Sequence, residues 1–480
     1  MNYLDWIVIA VYLCATIGLA LYLGRRLRDR RDYYLAANTI KWWQSGLSTM
    51  ATQLGAISFV SAPAFVAVAR DGGLKWLCYE LGVPLGIILV MAVILPKLHR
   101  RGYVSIYEYL EQRFDRGVRI LVSTCFQIGR SLATAVSVLA GGIILSTALS
   151  ISTDTAILLI GSITIVYSVL GGIRTIIISD VLQMGIIIGG ILICGFVGMI
   201  ITGGDIGWEL LDPARREILD FSHFGLRAGE TYAFWPMLVG GLFLYASYYG
   251  CDQSQVQREL SVHSLNDARK SLVLNAVGRF PIVLLYCIMG VLIGAVVMSP
   301  SGLVQIADTV GMGSNELLDM LHRDPDRMIP VFVLSFLPNG LIGFVFVAVM
   351  AALMSSLDSA INSLSAVTVQ DFYKEYVNDH ASERTYLFVS RIATLGWGVF
   401  CIFTALVFAG LSEGNRETTD MDRPCQVFTF SFASFLSETV IGDPRKRMRT
   451  DASTTNHADM RGLHLGAEPH DCSPSGECAL

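Results

Sequence analysis

The feature that most constrains this sequence is a series of ten apolar stretches, each about 20 residues long or longer. A helix of that length crosses the hydrocarbon core of a bilayer, so each stretch predicts one membrane span. With 53% hydrophobic and 16% charged residues, the chain is too apolar for a soluble protein of 480 residues. We therefore expect an all-α polytopic membrane protein. The expected spans are 4–24, 43–68, 75–96, 118–149, 153–172, 176–202, 232–251, 272–298, 331–367 and 385–411.

Basic residues indicate how these spans are oriented. They cluster after the first, third and seventh spans, and the positive-inside rule places such loops in the cytoplasm. We therefore expect the N-terminus outside and a multi-pass protein of the plasma membrane. The net charge of -5 argues against nucleic acid as a partner, which leaves the lipid bilayer and small molecules. The basic residues used are Arg25, Arg26, Arg28, Arg30, Arg31, Lys97, Arg100, Arg101, Arg258, Arg269 and Lys270.

A polar stripe runs through the apolar stretch 350–371, which reads MAALMSSLDSAINSLSAVTVQD. At about 100° per residue, its small and hydroxyl residues fall on roughly a third of the helix circumference. Such a stripe can serve close helix packing, or it can supply neutral oxygen ligands to a hard cation such as sodium. Asp358 adds a carboxylate in mid-helix. The stripe consists of Ala352, Ser355, Ser356, Ser359 and Ser363.

The second expected span carries an unusual number of polar and helix-breaking residues, from Ser48 to Pro63. Such a segment can break near Gln53 to Gly55, and an unwound helix frees backbone carbonyls that can bind a cation. The same residues also fit a proline-kinked helix that packs closely against its neighbours. The sequence of this span leaves both interpretations open.

Further candidates lie in the sixth and seventh spans. Asp180 is a lone carboxylate near the start of an uncharged span, which makes it a functional-site hypothesis, although an acid near a span end can also be solvated. Gly171 and Gly172 predict a tight turn between the fifth and sixth spans. The tyrosines at 245, 248 and 249 recur at helical spacing and could contact a solute, gate its exit or anchor the span at the interface.

Taken in order, several segments resemble the sodium:solute symporter family. The resemblance covers about residues 1–412 and implies a LeuT-type fold, in which two inverted five-helix repeats follow an extra N-terminal helix. The first repeat would be spans two to six, and the second would begin at span seven. The segments are GLSTMATQLGAISF, the pair Tyr79 and Glu80, YVSIYEYLEQRF, VYSVLGGIRTIIISDVLQ, DQSQVQREL and ALMSSLDSAINSLSAVTVQDFYKEY.

The family resemblance implies which residues bind sodium, the coupling ion, with no other cofactor expected. By motif, the ligands are the carbonyls of Ala51, Leu54 and Ala352 and the hydroxyls of Ser355 and Ser356. A second sodium site, present in some members, would involve Asp180, Ser355, Asp358 and Ser359. In that second site Asp358 stands where a serine is common, and it could strengthen cation binding or take a proton or salt-bridge role instead.

The resemblance also implies a solute pocket formed by the second, third and seventh spans. Sugar-carrying relatives tend to have asparagine where Gln53 and Tyr245 stand, so a sugar is not favoured. The ATQLGAISF segment is closer to the branch that carries iodide, vitamins and monocarboxylates, and we expect a small organic anion. The pocket residues are Gln53, Ser58, Tyr79, Glu80, Tyr245 and Tyr249, with Tyr248 as an inner gate.

The end of the chain departs from the family pattern. Residues 413–480 are polar and predicted to be a disordered, non-family tail, which leaves the second repeat incomplete. The weakly apolar stretch 427–442 is too short and serine-rich for a confident span.

The expected function is sodium-coupled symport of a small solute by alternating access, without enzymatic chemistry. Two alternatives are a truncated product that does not transport and a transporter-like solute sensor.

Overall fold

The structure is a computed structural model that describes residues 1–25, 27, 29–69, 72–99, 103–204, 208–210, 212–222, 224 and 232–414. The predicted tail beyond residue 414, including 427–442, lies outside the described residues. In the described part, seven helices are long and apolar enough to cross a membrane, and counting the bent pair α3–α4 makes eight. The helices are α1 Tyr3–Gly24, α2 Arg30–Leu35, α3 Trp42–Gln53, α4 Ala56–Ala67, α5 Trp76–His99, α6 Tyr107–Arg113, α7 Arg116–Leu149, α8 Thr153–Ile201, α9 Pro213–Arg216, α10 Phe234–Cys251, α11 Gln253–Leu260, α12 Leu265–Met298, α13 Pro300–Val310, α14 Ser314–Arg323, α15 Met328–Phe336, α16 Leu341–Val377 and α17 Glu383–Gly414.

The helix α8 combines two of the expected spans. Its 49 residues would extend about 74 Å as one rod, more than twice the thickness of a hydrocarbon core. At Gly172 the backbone leaves the helical region, with φ 59° and ψ -168°. A Cβ there would lie 2.8 Å from the carbonyl oxygen of Tyr33. Glycine therefore permits both the positive φ and the close approach of α2. The predicted break between spans 153–172 and 176–202 is confirmed.

The predicted span 331–367 is wrong at its start. The chain leaves the helix after Phe336 and re-enters it only at Leu341. The intervening residues include Pro338 and Gly340, and Gly340 has φ 90°, which favours glycine. The apolar run therefore contains a short helix, a turn and then the long helix α16.

The helix α16 is the most enclosed of the candidate spans. In its most apolar window 83% of residues are buried, against 17% for α1, and it packs against α1, α7 and α8. Small residues allow α8 and α16 to approach each other closely. If Gly190 of α8 carried a Cβ atom, it would lie 2.8 Å from the Cβ atom of Ala348. At its N-terminus, the Asp5 side chain accepts hydrogen bonds from the backbone N–H groups of Gly340 and Gly343 at 2.7 and 2.8 Å. The polar stripe of α16 therefore faces protein.

The crossing of α5 and α10 depends on glycine. A Cβ on Gly82 would lie 2.6 Å from the backbone nitrogen of Leu242 and 2.7 Å from the carbonyl carbon of Gly241. Because backbone atoms yield only if a helix shifts, we expect Gly82→Ala to lower the free energy of unfolding by about 1–3 kcal/mol. Thermal unfolding in detergent would measure it, with exposed Gly185→Ala as the control, because no atom lies within 4 Å of its added Cβ. Equal melting temperatures for the two variants would contradict the prediction.

Candidate functional site

The second expected span is broken, which is one of the two interpretations that its sequence leaves open. The chain bends by 58° between helices α3 and α4. The break falls at Leu54, with φ -86° and ψ 64°, and at Gly55, with ψ 178°. The backbone N–H groups of Ser58 and Phe59 bond to the carbonyl oxygen of Gly55, which starts the new helix. Because α3 ends at the break, carbonyl oxygens in its last turn have no donor within the helix and can accept from, or bind to, groups outside it.

Those carbonyls meet the polar stripe of α16. The hydroxyl of Ser355 lies 3.1 Å from the carbonyl oxygens of both Ala51 and Ala352, and it donates to either. The hydroxyl of Ser356 lies 3.1 Å from the carbonyl oxygen of Thr52 and 3.3 Å from that of Ala352. The sequence predicted these residues as sodium ligands, except for Thr52.

The remaining predicted ligand, Leu54, lies at the break itself and is buried. The next residue, Gly55, faces α16 so closely that a Cβ would lie 3.1 Å from the Ser356 hydroxyl. Neutral carbonyl and hydroxyl oxygens therefore lie close together where the broken helix crosses α16. Hard cations prefer this type of ligand.

The residues predicted for a second sodium form an adjoining network around Ser359. The Ser359 hydroxyl donates to the Ser355 carbonyl at 2.6 Å, and it lies 2.9 Å from a carboxylate oxygen of Asp358 and 3.1 Å from the Thr52 hydroxyl. The Tyr167 hydroxyl of α8 donates to the other oxygen of Asp358. All four predicted residues of this site are buried.

Arg258 of α11 joins this network, and the sequence analysis treated it only as a loop charge. Its guanidinium is fully buried, lies 2.9 Å from Asp180 and also contacts the Ser359 hydroxyl. The Ser48 hydroxyl bridges the pair, since it accepts from Arg258 at 2.6 Å and donates to Asp180 at 2.5 Å. The second oxygen of Asp180 has no hydrogen-bond partner among the described residues. The Arg258 guanidinium thus pairs directly with Asp180, and it is connected to Asp358 through the Ser359 hydroxyl.

Glu259 directly follows Arg258 in the sequence, but it does not add a negative charge to this network. Its side chain is buried, and neither carboxyl oxygen has a hydrogen-bond partner in the described part of the chain. Burial raises the pKa of the Glu259 carboxyl well above its usual range, which favours the neutral form.

The predicted solute-pocket residues converge, but around an arginine that the sequence analysis missed. Arg279 of α12 lies 2.6 Å from Glu80, 2.8 Å from the Tyr245 hydroxyl and in contact with the Gln53 side chain. The Tyr249 hydroxyl donates to Gln53 at 3.0 Å. The available signal was that Arg279 is a lone charge inside the expected span 272–298.

Two further predicted pocket residues, Tyr79 and Ser58, lie near this cluster. The ring of Tyr79 packs against that of Tyr245, with centroids 5.3 Å apart. Ser58 lines a cavity that Gln53 also lines, and its hydroxyl lies 3.4 Å from the Gln53 carbonyl.

The cavity beside the broken helix has a volume of about 180 Å³. Its lining includes Ser356, so it adjoins the candidate sodium site directly. Tyr248, the predicted gate, lines it too, and its hydroxyl accepts a hydrogen bond from Gln255 at 2.9 Å. The wall also includes the polar groups of Arg130, Thr134 and Ser137 of α7 and of Thr52 and Gln53 of α3.

Comparison with known proteins gives consistent results. A model of the sodium:solute symporter family matches residues 33–434, which extends past the predicted end of the domain at 412. A sodium/glucose cotransporter of Vibrio parahaemolyticus is 26% identical over 92% of this chain and 82% of its own length. The sodium-coupled monocarboxylate transporter 1 of Xenopus laevis is 27% identical over 83% of this chain, which spans only 62% of that relative.

The fold comparison points the same way. The substrate-bound, outward-open structure of a Na+-coupled sialic acid symporter superposes with a TM-score of 0.73. It covers 86% of this chain and 85% of that one at 23% identity, so the likeness concerns the fold.

Proposed function

Because the chain belongs to the sodium:solute symporter family, we propose that it couples inward movement of sodium to inward movement of a small solute. The relatives named above are transporters, and transport needs no covalent chemistry by the protein. Alternating access would carry ion and solute together, with Tyr248 as the inner gate.

The observation that supports this proposal is the crossing of the broken helix and α16. Sodium would bind the carbonyl oxygens of Ala51, Leu54 and Ala352 and the hydroxyls of Ser355 and Ser356. The hydroxyls of Ser355 and Ser356 lie within hydrogen-bonding distance of the Ala352 carbonyl, and to bind sodium they would rotate and turn their lone pairs towards the ion. Bound sodium would then hold the break against α16.

That contact would link the ion to the solute. The cavity and the sodium site share Ser356, so an ion that fixes this wall also pre-forms the solute site. By reciprocity, the solute raises sodium affinity by the same factor. Each sodium ion that moves inward through 100 mV supplies about 2.3 kcal/mol.

A second cation would bind at Asp180, Ser355, Asp358 and Ser359. The support is the charge balance, because Asp180 and Asp358 are both buried, the guanidinium of Arg258 pairs directly with Asp180, and one oxygen of Asp180 has no partner in the described part. A proton on Asp358 would satisfy the same balance.

The solute would be a small organic anion, the protein would lie in the plasma membrane, and its N-terminus would face outside. The relatives include transporters named for monocarboxylates and sialic acid, which are anionic, and one named for glucose, which is not. Gln53, Tyr79, Glu80, Tyr245 and Tyr249 would flank the solute site on the α5 and α10 side.

Uptake into proteoliposomes tests the proposal. We expect at least one member of a radiolabelled panel of small carboxylates, amides and sugars to accumulate above its equilibrium level when sodium is high outside. Collapse of the sodium gradient should abolish that accumulation, because the gradient supplies the free energy. Liposomes with potassium in place of sodium are the control, and equal uptake of every solute in both would contradict symport.

A further inference from the structure

The helix α11 is short, polar and enclosed. All of its residues, Gln253–Leu260, are buried, although most of them are polar or charged. It packs against α2, α3, α10, α12 and α16. Its polar side chains find partners there, since Gln253 donates to the Val104 carbonyl at 2.7 Å and Gln257 donates to the Tyr34 carbonyl at 2.8 Å.

Glu259 differs from the other polar residues of this helix. Only 1% of its surface is exposed, and neither carboxyl oxygen has a hydrogen-bond partner among the described residues. An ionised carboxylate is strongly disfavoured in such surroundings, so the group carries a proton. A protonated carboxyl has one O–H group to donate. The structure therefore contains a buried proton-binding group whose donor needs an acceptor.

Burial is the only cause of the raised pKa of Glu259. The charges on the neighbouring elements do not contribute to it, and several are paired elsewhere, as Arg258 is with Asp180 and Lys270 with Asp267. The helix α3 has no titratable side chain. On the other elements the titratable groups considered are Tyr34 of α2, Asp180 of α8, Tyr248 of α10, Asp267, Arg269 and Lys270 at the start of α12, and Asp358 of α16.

Gln255 connects this proton to the proposed gate. It lies one turn before Glu259 on α11, and side chains four residues apart share a helix face. Its Oε1 is buried without a hydrogen-bond partner in the described part, and its Nε2 donates to the Tyr248 hydroxyl at 2.9 Å. A protonated Glu259 supplies the donor that this oxygen lacks, whereas an ionised Glu259 would repel it. The proton thus helps to hold Gln255 in place against Tyr248.

The position of α11 couples this proton to opening of the gate. Asp252 is the only residue between α10, which carries Tyr248, and α11. A gate that opens here separates α11 from the helices that enclose it, and water then reaches Glu259. In water a glutamate has a pKa of about 4.3. Opening therefore releases a proton, and closing takes one up, at any pH between this value and the raised pKa of the buried group.

We propose that Glu259 is a proton-binding site that stabilises the closed inner gate, so that protons on the cytoplasmic side slow transport and a higher pH accelerates it. This inference rests on the proposed symport, with Tyr248 as the inner gate, and adds a proton as its regulator. The proton is bound and released on the same side of the membrane, so it is not carried with the solute.

The direction of the pH effect follows from the two states of Glu259. The closed form binds the proton more tightly, so its extra stability is complete below the pKa of the exposed carboxyl. That stability is lost as the pH rises through the raised pKa of the buried carboxyl. In between, each pH unit shifts the equilibrium towards the open form by up to about tenfold.

Uptake at several pH values tests the inference. Proteoliposomes have the same pH on both sides, so the orientation of the protein does not matter, and the solute is one that the panel shows to be taken up. Uptake by the unaltered protein is divided by uptake by Glu259→Gln at each pH, which cancels the ionisation of the solute. We expect this ratio to rise severalfold from about pH 6 to about pH 8, because glutamine keeps a donor but has no proton to release.

Asp379→Asn is the matched control for this measurement. It removes a carboxylate whose side chain is 70% exposed. We expect the ratio of its uptake to that of the unaltered protein to stay constant over the same pH range. If Glu259→Gln does not fold, Glu259→Met, which also lacks a titratable group, takes its place in the ratio.

Infrared spectroscopy of the purified protein detects the proton without transport. A protonated carboxyl has a carbonyl band separate from the bands of a carboxylate. At neutral pH we expect such a band in the unaltered protein and in Asp379→Asn, and a weaker one in Glu259→Gln. Equal bands in all three would show that Glu259 is ionised and would overturn the inference.

Other results separate this inference from the proposed symport. Sodium-driven uptake with a ratio that does not change with pH would overturn the inference and leave symport standing. An infrared band that needs Glu259, without sodium-driven uptake of any solute, would support the proton site and contradict symport. Entry of protons together with the solute, reported by a pH dye inside the liposomes and lost in Glu259→Gln, would overturn the inference, because Glu259 would then exchange protons with both sides.

Discussion

Ser355→Ala and Ser356→Ala are each expected to raise the sodium concentration for half-maximal uptake by about 10- to 100-fold. Each removes one neutral oxygen from the crossing of the broken helix and α16, where the hydroxyls lie 3.1 Å from the carbonyls of Ala51 and Thr52. An interaction between a polar group and a charge contributes about 1.5–3 kcal/mol, and each 1.4 kcal/mol is a factor of ten. Uptake measured as a function of sodium concentration gives the shift.

Ser363→Ala is the matched control for the hydroxyl variants. Ser363 lies on the same helix and is as buried as Ser355, and within the described part of the chain its hydroxyl donates to the Ala360 carbonyl of its own helix alone, at 2.8 Å. We expect its sodium dependence to equal that of the unaltered protein. If Ser355→Ala and Ser356→Ala matched this control, the assignment of the sodium site would be wrong.

Arg258→Gln is expected to lower the free energy of unfolding by about 3–5 kcal/mol. The substitution leaves the Asp180 carboxylate buried with Ser48 as its hydrogen-bond donor, and removal of one partner of a buried pair costs about that much. Since domains are typically stable by only about 5–15 kcal/mol, much of the protein should fail to fold. Yield of monodisperse protein and its melting temperature in detergent measure the effect.

Two variants control for this effect. Adding Asp180→Asn to Arg258→Gln should recover part of the loss, because no buried charge then remains unpaired. Arg116→Gln breaks a more exposed pair, in which Arg116 and Glu375 lie 3.5 Å apart, and should cost about 1 kcal/mol or less. Equal melting temperatures for Arg258→Gln and Arg116→Gln would refute the role of the buried pair.

The sequence predicted the local features of the candidate site well. Polar residues and glycine in an apolar span made a break near Gln53 to Gly55 one of two interpretations, and the 3.6-residue period placed Ser355 and Ser356 on one face. Both signals arise within a single helix, where the helical repeat determines which side chains share a face. The turn at Gly172 was equally local.

The sequence could not show which distant charges meet. Arg258 was interpreted only as a loop charge, and Arg130 and Arg279 lie in expected spans with no expected partner. Yet each of the three reaches a carboxylate 78 to 199 residues away in sequence. Such pairs depend on how helices pack, which hydropathy does not record. The turn before Leu341 was also missed, because Pro338 and Gly340 lie inside a run that is apolar on average.

The enclosure of α16 has a consequence for how the protein is made. The Ser355 hydroxyl bonds to a carbonyl 304 residues earlier in the chain. At about 5–20 residues per second, a ribosome needs roughly 15–60 seconds to synthesise that interval. For that time the broken helix must stay in the membrane before its partner exists. We therefore expect nascent chains that end before α16 to depend on insertion factors or chaperones, and those that include α16 to be released from them.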